Sequence, residues 1–157
     1  MPHGTLEWDL ALLQGAMHLS ADEVRAYFTD GRRVSFMLER RLMREVLGGK
    51  LAASEGDDHD LVDATGRKWE VRSISSGGIY FCPSYMVGSG RRFECDGFLR
   101  KLDMIHGYVV SDITLFPKIP YWFVEAGLVR RWWDSGSIGS ATKIPRWRAL
   151  ELLQTVR

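Results

Sequence analysis

Two carboxylates, Asp60 and Glu70, stand ten residues apart in the stretch DLVDATGRKWEVRSI at positions 60–74. Between them Ala64-Thr65-Gly66 reads as a tight turn, and Lys68 to Ile74 alternates in the manner of a strand. Successive side chains of a strand point to opposite faces, so Lys68, Glu70 and Arg72 share one face while Trp69 and Val71 share the other. The Trp69/Val71 face is apolar and belongs in a core. The opposite face carries cation, anion, cation, which an inner strand tolerates only along a polar cleft, because buried unpaired charge is heavily penalised. A hairpin closing at Thr65-Gly66 brings Asp60 toward Glu70. Two carboxylates that close repel one another unless a divalent cation lies between them. Mg²⁺ suits such a pair, since it takes hard oxygen ligands and completes its octahedron with water and substrate phosphate. The chemistry would be metal-assisted hydrolysis of a phosphodiester, with a neighbouring cation stabilising charge on the phosphate. The same spacing also fits a plain hairpin with salt-bridged charges on an exposed face.

The elements that must hold this hairpin are legible as patterns. Residues 1–50 read as helical. Leu6, Leu10, Leu13 and Met17 recur at helical spacing, and Ser20-Ala21-Asp22-Glu23 is a capping box opening a second helix. Asp30-Gly31 reads as a turn, and a third helix from Ser35 stops at Gly48-Gly49. Asp60 to Asp63 begins a strand. Ile79-Tyr80-Phe81 is a short apolar segment, 96–106 a helix, and Gly107 to Thr114 and Tyr121 to Val124 further strands. A Trp/Arg-rich segment at 129–133, a Gly/Ser loop at 135–140 and a helix after Pro145 complete the chain. Helices followed by strands interrupted by helices predict an α/β (α+β) fold in one domain spanning 1–157.

At 157 residues, 45% apolar and 11% aromatic, the chain can bury its own core, and disorder is excluded. It has no apolar run of the roughly 18 residues that a membrane helix requires, and MPHGTLEWD lacks the layout of a signal peptide. Cys82 and Cys95 show neither a disulfide framework nor metal-ligand spacing, so reduced thiols and a cytoplasmic location are expected. The net charge of +1 gives no global attraction for a polyanion. Its distribution is uneven: acids gather from Glu55 to Asp60, and basic residues gather at Arg91-Arg92, Arg130-Arg131 and from Lys143 to Arg148. That contrast suits an enzyme acting on a phosphodiester.

The longer segment EGDDHDLVDATGRKWEVRSI, 55–74, closely resembles the active-site segment of the PvuII-like type II restriction endonucleases, within the PD-(D/E)XK nuclease superfamily. The shared features are the Glu-Gly before the acidic pair, the Asp-x-Val-Asp strand, the Ala-x-Gly turn, the aromatic before the glutamate and Ser-Ile after the basic residue. WWDSGSIGSATKIP, 132–145, is similar to the family's C-terminal end. The resemblance implies a restriction-endonuclease-like core, a mixed central sheet flanked by helices with a helical N-terminal dimerisation region. It further implies a Mg²⁺-dependent homodimer cutting double-stranded DNA at a short palindrome, a two-fold enzyme reading a two-fold site. Asp60 and Glu70 would be the metal ligands and Glu55 a supporting acid. Arg72 stands where the family carries its catalytic lysine. Three readings follow: Arg72 replaces the lysine by charge and bidentate phosphate contact, Lys68 supplies the ammonium, or the site is impaired and only binds DNA. A nuclease of repair or mobile elements, without strict sequence specificity, is the alternative within the enzyme class.

DNA contact is expected downstream of the catalytic strand. Gly88-Ser89-Gly90-Arg91-Arg92 is a basic loop rich in donors, and Ser84, Tyr85 and Ser89 can add hydrogen bonds to bases or backbone. Lys143 and Arg146, beside the Gly/Ser loop, are expected phosphate contacts. The four histidines lack ligand spacing and are assigned to core or surface.

Overall fold

The computed structural model describes residues 1–54 and 58–156. The chain begins with strand β1 (Gly4–Glu7), followed by helices α1 (Leu10–Met17), α2 (Ala21–Phe28) and α3 (Gly31–Arg41), the last continuing into a π-helical turn at Leu42–Leu47. Strands β2 (Lys50–Leu51), β3 (Leu61–Val62), β4 (Lys68–Ile74) and β5 (Ile79–Tyr80) come next, then α4 (Cys95–Met104), β6 (Gly107–Asp112) and β7 (Lys118–Glu125). Helix α5 (Ala126–Asp134), strand β8 (Lys143–Ile144) and helix α6 (Arg146–Leu153) close the chain. The fold is mixed α+β. No helix among the described residues is long and apolar enough to cross a membrane.

Among the described residues the main sheet has six strands in the order β1-β7-β6-β4-β3-β2. β2, β3 and β4 form an antiparallel meander, whereas β4 and β6 run parallel. Parallel neighbours cannot be joined by a hairpin, and α4 lies in the crossover between them. All six residues of β6 are buried, the pattern of an inner strand covered on both faces. Its consecutive residues feed two separate cores. Val109 packs with Trp69, Val71 and the N-terminal helix residues Val24, Phe28, Val34 and Leu38. Tyr108 and Val110 pack on the other side with Phe98, Val129, Trp132 and Leu152. The apolar alternation of β4 therefore holds as read, with Trp69 and Val71 buried against the N-terminal layer.

Residues 1–50 are not wholly helical. Leu6 lies in β1, antiparallel to Ile119 of β7, because an edge strand is defined by a partner more than a hundred residues away and leaves no local signal. Asp30-Gly31 opens α3 instead of forming a free turn: the Asp30 side chain accepts from the Arg32 N–H as an N-cap. The capping box at Ser20 is present, with Ser20 and Glu23 bonded reciprocally. The Trp/Arg-rich segment is helical and forms α5, with Trp132 turned into the core. Gly49 fixes how closely the N-terminal layer approaches the hairpin, since a Cβ there would lie 1.8 Å from the Val62 carbonyl oxygen.

Candidate active site

β3 pairs with β4 through Leu61↔Trp69 and Val62↔Lys68, so Asp60, one residue before β3, falls opposite Glu70. The Asp60 N–H donates to the Trp69 carbonyl at 3.0 Å, and its own carbonyl accepts from Ala52 N–H at 2.8 Å. The ladder ends there. The next inward donor, the Val71 N–H, is taken by the Asp60 carboxylate at 2.7 Å, a side chain standing in for a strand. Burial, reinforced by the charge of Glu70, raises the Asp60 pKa above its ordinary value; the Val71 N–H, Arg72 and Lys101 oppose this only partly.

Glu70 is 6% exposed, on the face that Tyr108 and Val110 share. One carboxylate oxygen meets the Arg72 guanidinium at 2.7 Å, and the other meets the Lys101 ammonium. Arg72 is held on several sides. It donates to the Val71 and Cys82 carbonyls, each at 3.1 Å, and its guanidinium lies 5.2 Å from the Tyr80 ring centroid. Burial alone would lower its pKa, but Glu70, Tyr108 and Asp60 outweigh that and keep it charged. Its Nε is buried without a hydrogen-bond partner among the described residues. The Cys82 end of this clamp is fixed in turn by Thr142, whose hydroxyl accepts from the Cys82 N–H at 2.9 Å. Thr142 is buried and β-branched at φ 58°, a strained backbone of the kind that persists only where surrounding bonds enforce it.

Lys101 is the residue that the sequence reading missed. It sits on α4, its side chain 10% exposed, and its ammonium also donates to the Asp58 carbonyl. Its helix was legible, but the meeting with Glu70 is created by the crossover that lays α4 beside β4. Lys68 is exposed on β4, and the ion-pair partners of Glu70 among the described residues are Arg72 and Lys101. Glu55 lies outside the described residues. With Asp60 and Glu70 negative and Arg72 and Lys101 positive, the four formal charges of the cluster cancel. That balance is what makes so much buried charge tolerable.

Asp60 and Arg72 open onto a cleft of about 960 Å³. Ser84, Ser89, Arg91 and Lys143 line the same cleft, and α3 adds Arg32 and Glu39. Segments far apart in sequence converge here because β5 pairs with β8, setting Tyr80 against Lys143. Arg91 also folds back onto its own loop, donating to the Ser84 and Val87 carbonyls at 3.0 and 3.3 Å. Tyr85 and Arg92 are exposed near this rim but do not line the cleft. Arg146 is engaged internally. Its guanidinium forks onto the fully buried Asp112, with Nη2 2.7 Å from Oδ2.

The other aspartate of the hairpin differs completely. Asp63 accepts from the N–H and hydroxyl of Thr65, the N–H and Nε of Arg67, and the Trp69 indole N–H, all within 3.0 Å. Burial alone would raise its pKa, but these donors outweigh it and hold the carboxyl well below the usual carboxylate range. Asp63 thus locks the turn around Gly66, which sits at φ 87°.

Among the described residues no group of three or more His, Cys, Asp or Glu side chains is placed to hold a metal ion. A cation here would take two protein carboxylates, Asp60 and Glu70, which fits an ion that keeps several waters and a substrate phosphate. Burial first, and the charge of Glu70 second, raise the Asp60 pKa, and a divalent ion between the two carboxylates would relieve that second contribution. In comparisons with known proteins, no family model matches the chain and no curated protein matches it.

Proposed function

We propose that the chain is a Mg²⁺-dependent endodeoxyribonuclease, a type II restriction endonuclease with a restriction-endonuclease-like core that acts as a homodimer on double-stranded DNA at a short palindromic site. The observation that carries this reading is the Asp60–Glu70 pair across the β3–β4 hairpin, backed by cations, with Asp60 opening onto a cleft edged by Ser84, Ser89, Arg91 and Lys143. The antiparallel meander followed by a helical crossover to a parallel strand supports the core assignment, since it sets Asp60, at the mouth of β3, opposite Glu70 on the inner strand β4.

In this reading Asp60 and Glu70 hold the cation by their carboxylates. Bound there, Mg²⁺ would acidify a water and neutralise charge on the scissile phosphate. Arg72 is fully charged and anchored to two backbone carbonyls, so it stabilises negative charge at the cleft floor and cannot relay a proton. Lys143 and Arg91 at the rim contribute attraction for backbone phosphates. The homodimer is supported by the N-terminal helices: α1 has no buried residue, and Leu12 and Phe36 are 70% and 60% exposed.

Incubating the purified chain with plasmid and Mg²⁺ tests the reading. Discrete fragments are expected from the wild type and intact plasmid from Asp60→Ala and Glu70→Ala. Cleavage that survives both substitutions refutes it. A smear points to a nuclease without sequence specificity, and a retarded but intact plasmid to DNA binding alone.

A further inference from the structure

We propose that Lys101 is the exchangeable cation of this site: it neutralises Glu70 until a divalent cation takes its place, and its released ammonium then serves the substrate phosphate. The proposal rests on the nuclease reading for its second half only.

Glu70 has two cationic partners that differ in how firmly they are held. Arg72 cannot leave. Its guanidinium is tied to the Val71 and Cys82 carbonyls as well as to Glu70, it lies near the Tyr80 ring, and the Cys82 peptide is itself bonded to Thr142. Among the described residues the Lys101 ammonium is bonded to the Glu70 carboxylate and the Asp58 carbonyl. Asp58 is exposed, so that second anchor can yield. The lysine stem is flexible, and its charge is a point charge that can rotate to a new acceptor, unlike the planar guanidinium fork.

The charge balance points the same way. Asp60, Glu70, Arg72 and Lys101 sum to zero while Lys101 caps Glu70. A cation ligated by Glu70 together with Asp60 competes with the Lys101 ammonium for the same Glu70 oxygen and is repelled by its charge, because the other oxygen remains with Arg72. Lys101 then has no carboxylate partner among the described residues and lies beside a site whose net charge has become positive. A phosphodiester brings the compensating negative charge to that place, and a nearly buried ammonium is stabilised by donating to it. Arg72 thereby stays a fixed positioning group for Glu70, and the mobile cation that β4 lacks comes from α4.

The full chain is compared with Lys101→Met and Lys101→Gln, after circular dichroism has verified folding, the glutamine variant serving if the methionine variant fails to fold. Calorimetric titration with Ca²⁺ measures the exchange without any turnover. Removing the competing ammonium is expected to tighten Ca²⁺ binding about tenfold. In Mg²⁺, plasmid cleavage is expected to slow on the order of 100-fold, mainly in kcat, because a charge aimed at the transition state has been lost. Unchanged or weaker Ca²⁺ binding in the variants overturns the exchange, as does a wild-type chain that binds no Ca²⁺. Tighter binding with unchanged cleavage overturns the role toward phosphate and leaves the nuclease reading standing. A wild-type chain that binds Ca²⁺ yet cuts no DNA ends the nuclease reading and with it that second role, and the affinity comparison alone then decides the exchange.

Discussion

Asp60 and Asp63 lie three residues apart on one hairpin, and their surroundings are opposites. Asp63 is surrounded by five donors from Thr65, Arg67 and Trp69, and its carboxyl is held below the usual range. Among the described residues Asp60 has one donor, the Val71 N–H; it faces Glu70 and has its pKa pushed up, first by burial and then by that neighbouring charge. A satisfied buried carboxylate rigidifies a turn, whereas an under-satisfied one beside another carboxylate has affinity left over for a cation. The contrast separates a structural carboxylate from a candidate site carboxylate without reference to any other protein.

The contrast breaks most visibly under substitution by asparagine. Asp60→Asn should lower plasmid cleavage by on the order of 10³-fold, yet leave the melting temperature at neutral pH unchanged or higher. Asp63→Asn should do the reverse, costing roughly 3 kcal/mol of stability while cleavage at low temperature stays within a few-fold of wild type. Equal losses of activity from the two variants would mean that the division is wrong. Thermal melts over a pH series sharpen it further. The Asp63 pKa is lowered, so its contribution is fully present above the ordinary value of 3.8 and is lost as pH falls below it; the Asp63→Asn penalty should shrink in acid. The Asp60 pKa is raised, so ionising it costs stability as pH climbs above 3.8; the gain of Asp60→Asn over wild type should grow with pH and vanish at the acid end. Trp69→Phe removes one of the five Asp63 donors and should cost about 1–2 kcal/mol, read from denaturant unfolding. The smallest effect is expected at the rim, where Lys143→Ala should reduce the slope of log binding constant against log salt by about 0.9 and leave cleavage at saturating DNA nearly unchanged.

Much of the hairpin was legible because its determinants are local. The turn residues, the period of β4 and the separation of charged from apolar faces all follow from neighbours in sequence. So does the α2 capping box. Elements defined by distant partners were not legible: β1 exists only because β7 pairs with it, and Leu6 fits a helical spacing equally well. Asp30 looked like a turn residue because N-cap and turn use the same side-chain chemistry. At the candidate site, the approach of Asp60 to Glu70 could be read from spacing, but the meeting of Lys101 with Glu70 could not, since nothing in CDGFLRKLDM tells which carboxylate its helix will pass. Arg146 shows the same limit in reverse. A basic residue beside a flexible loop reads as a phosphate contact, and only the fold reveals the buried Asp112 that engages it.

The bond from the Val71 N–H to the Asp60 carboxylate also gives the site a built-in spectroscopic reporter. Most amides deep in a sheet are protected by a carbonyl and are silent about chemistry nearby, whereas this one is protected by the same carboxylate that would ligate a cation. Its resonance position and its hydrogen-exchange rate should therefore follow the protonation and occupancy of Asp60, while amides of β6 on the other side of β4 stay still. One backbone nucleus in the middle of the molecule would then register events in the cleft without any label or substrate.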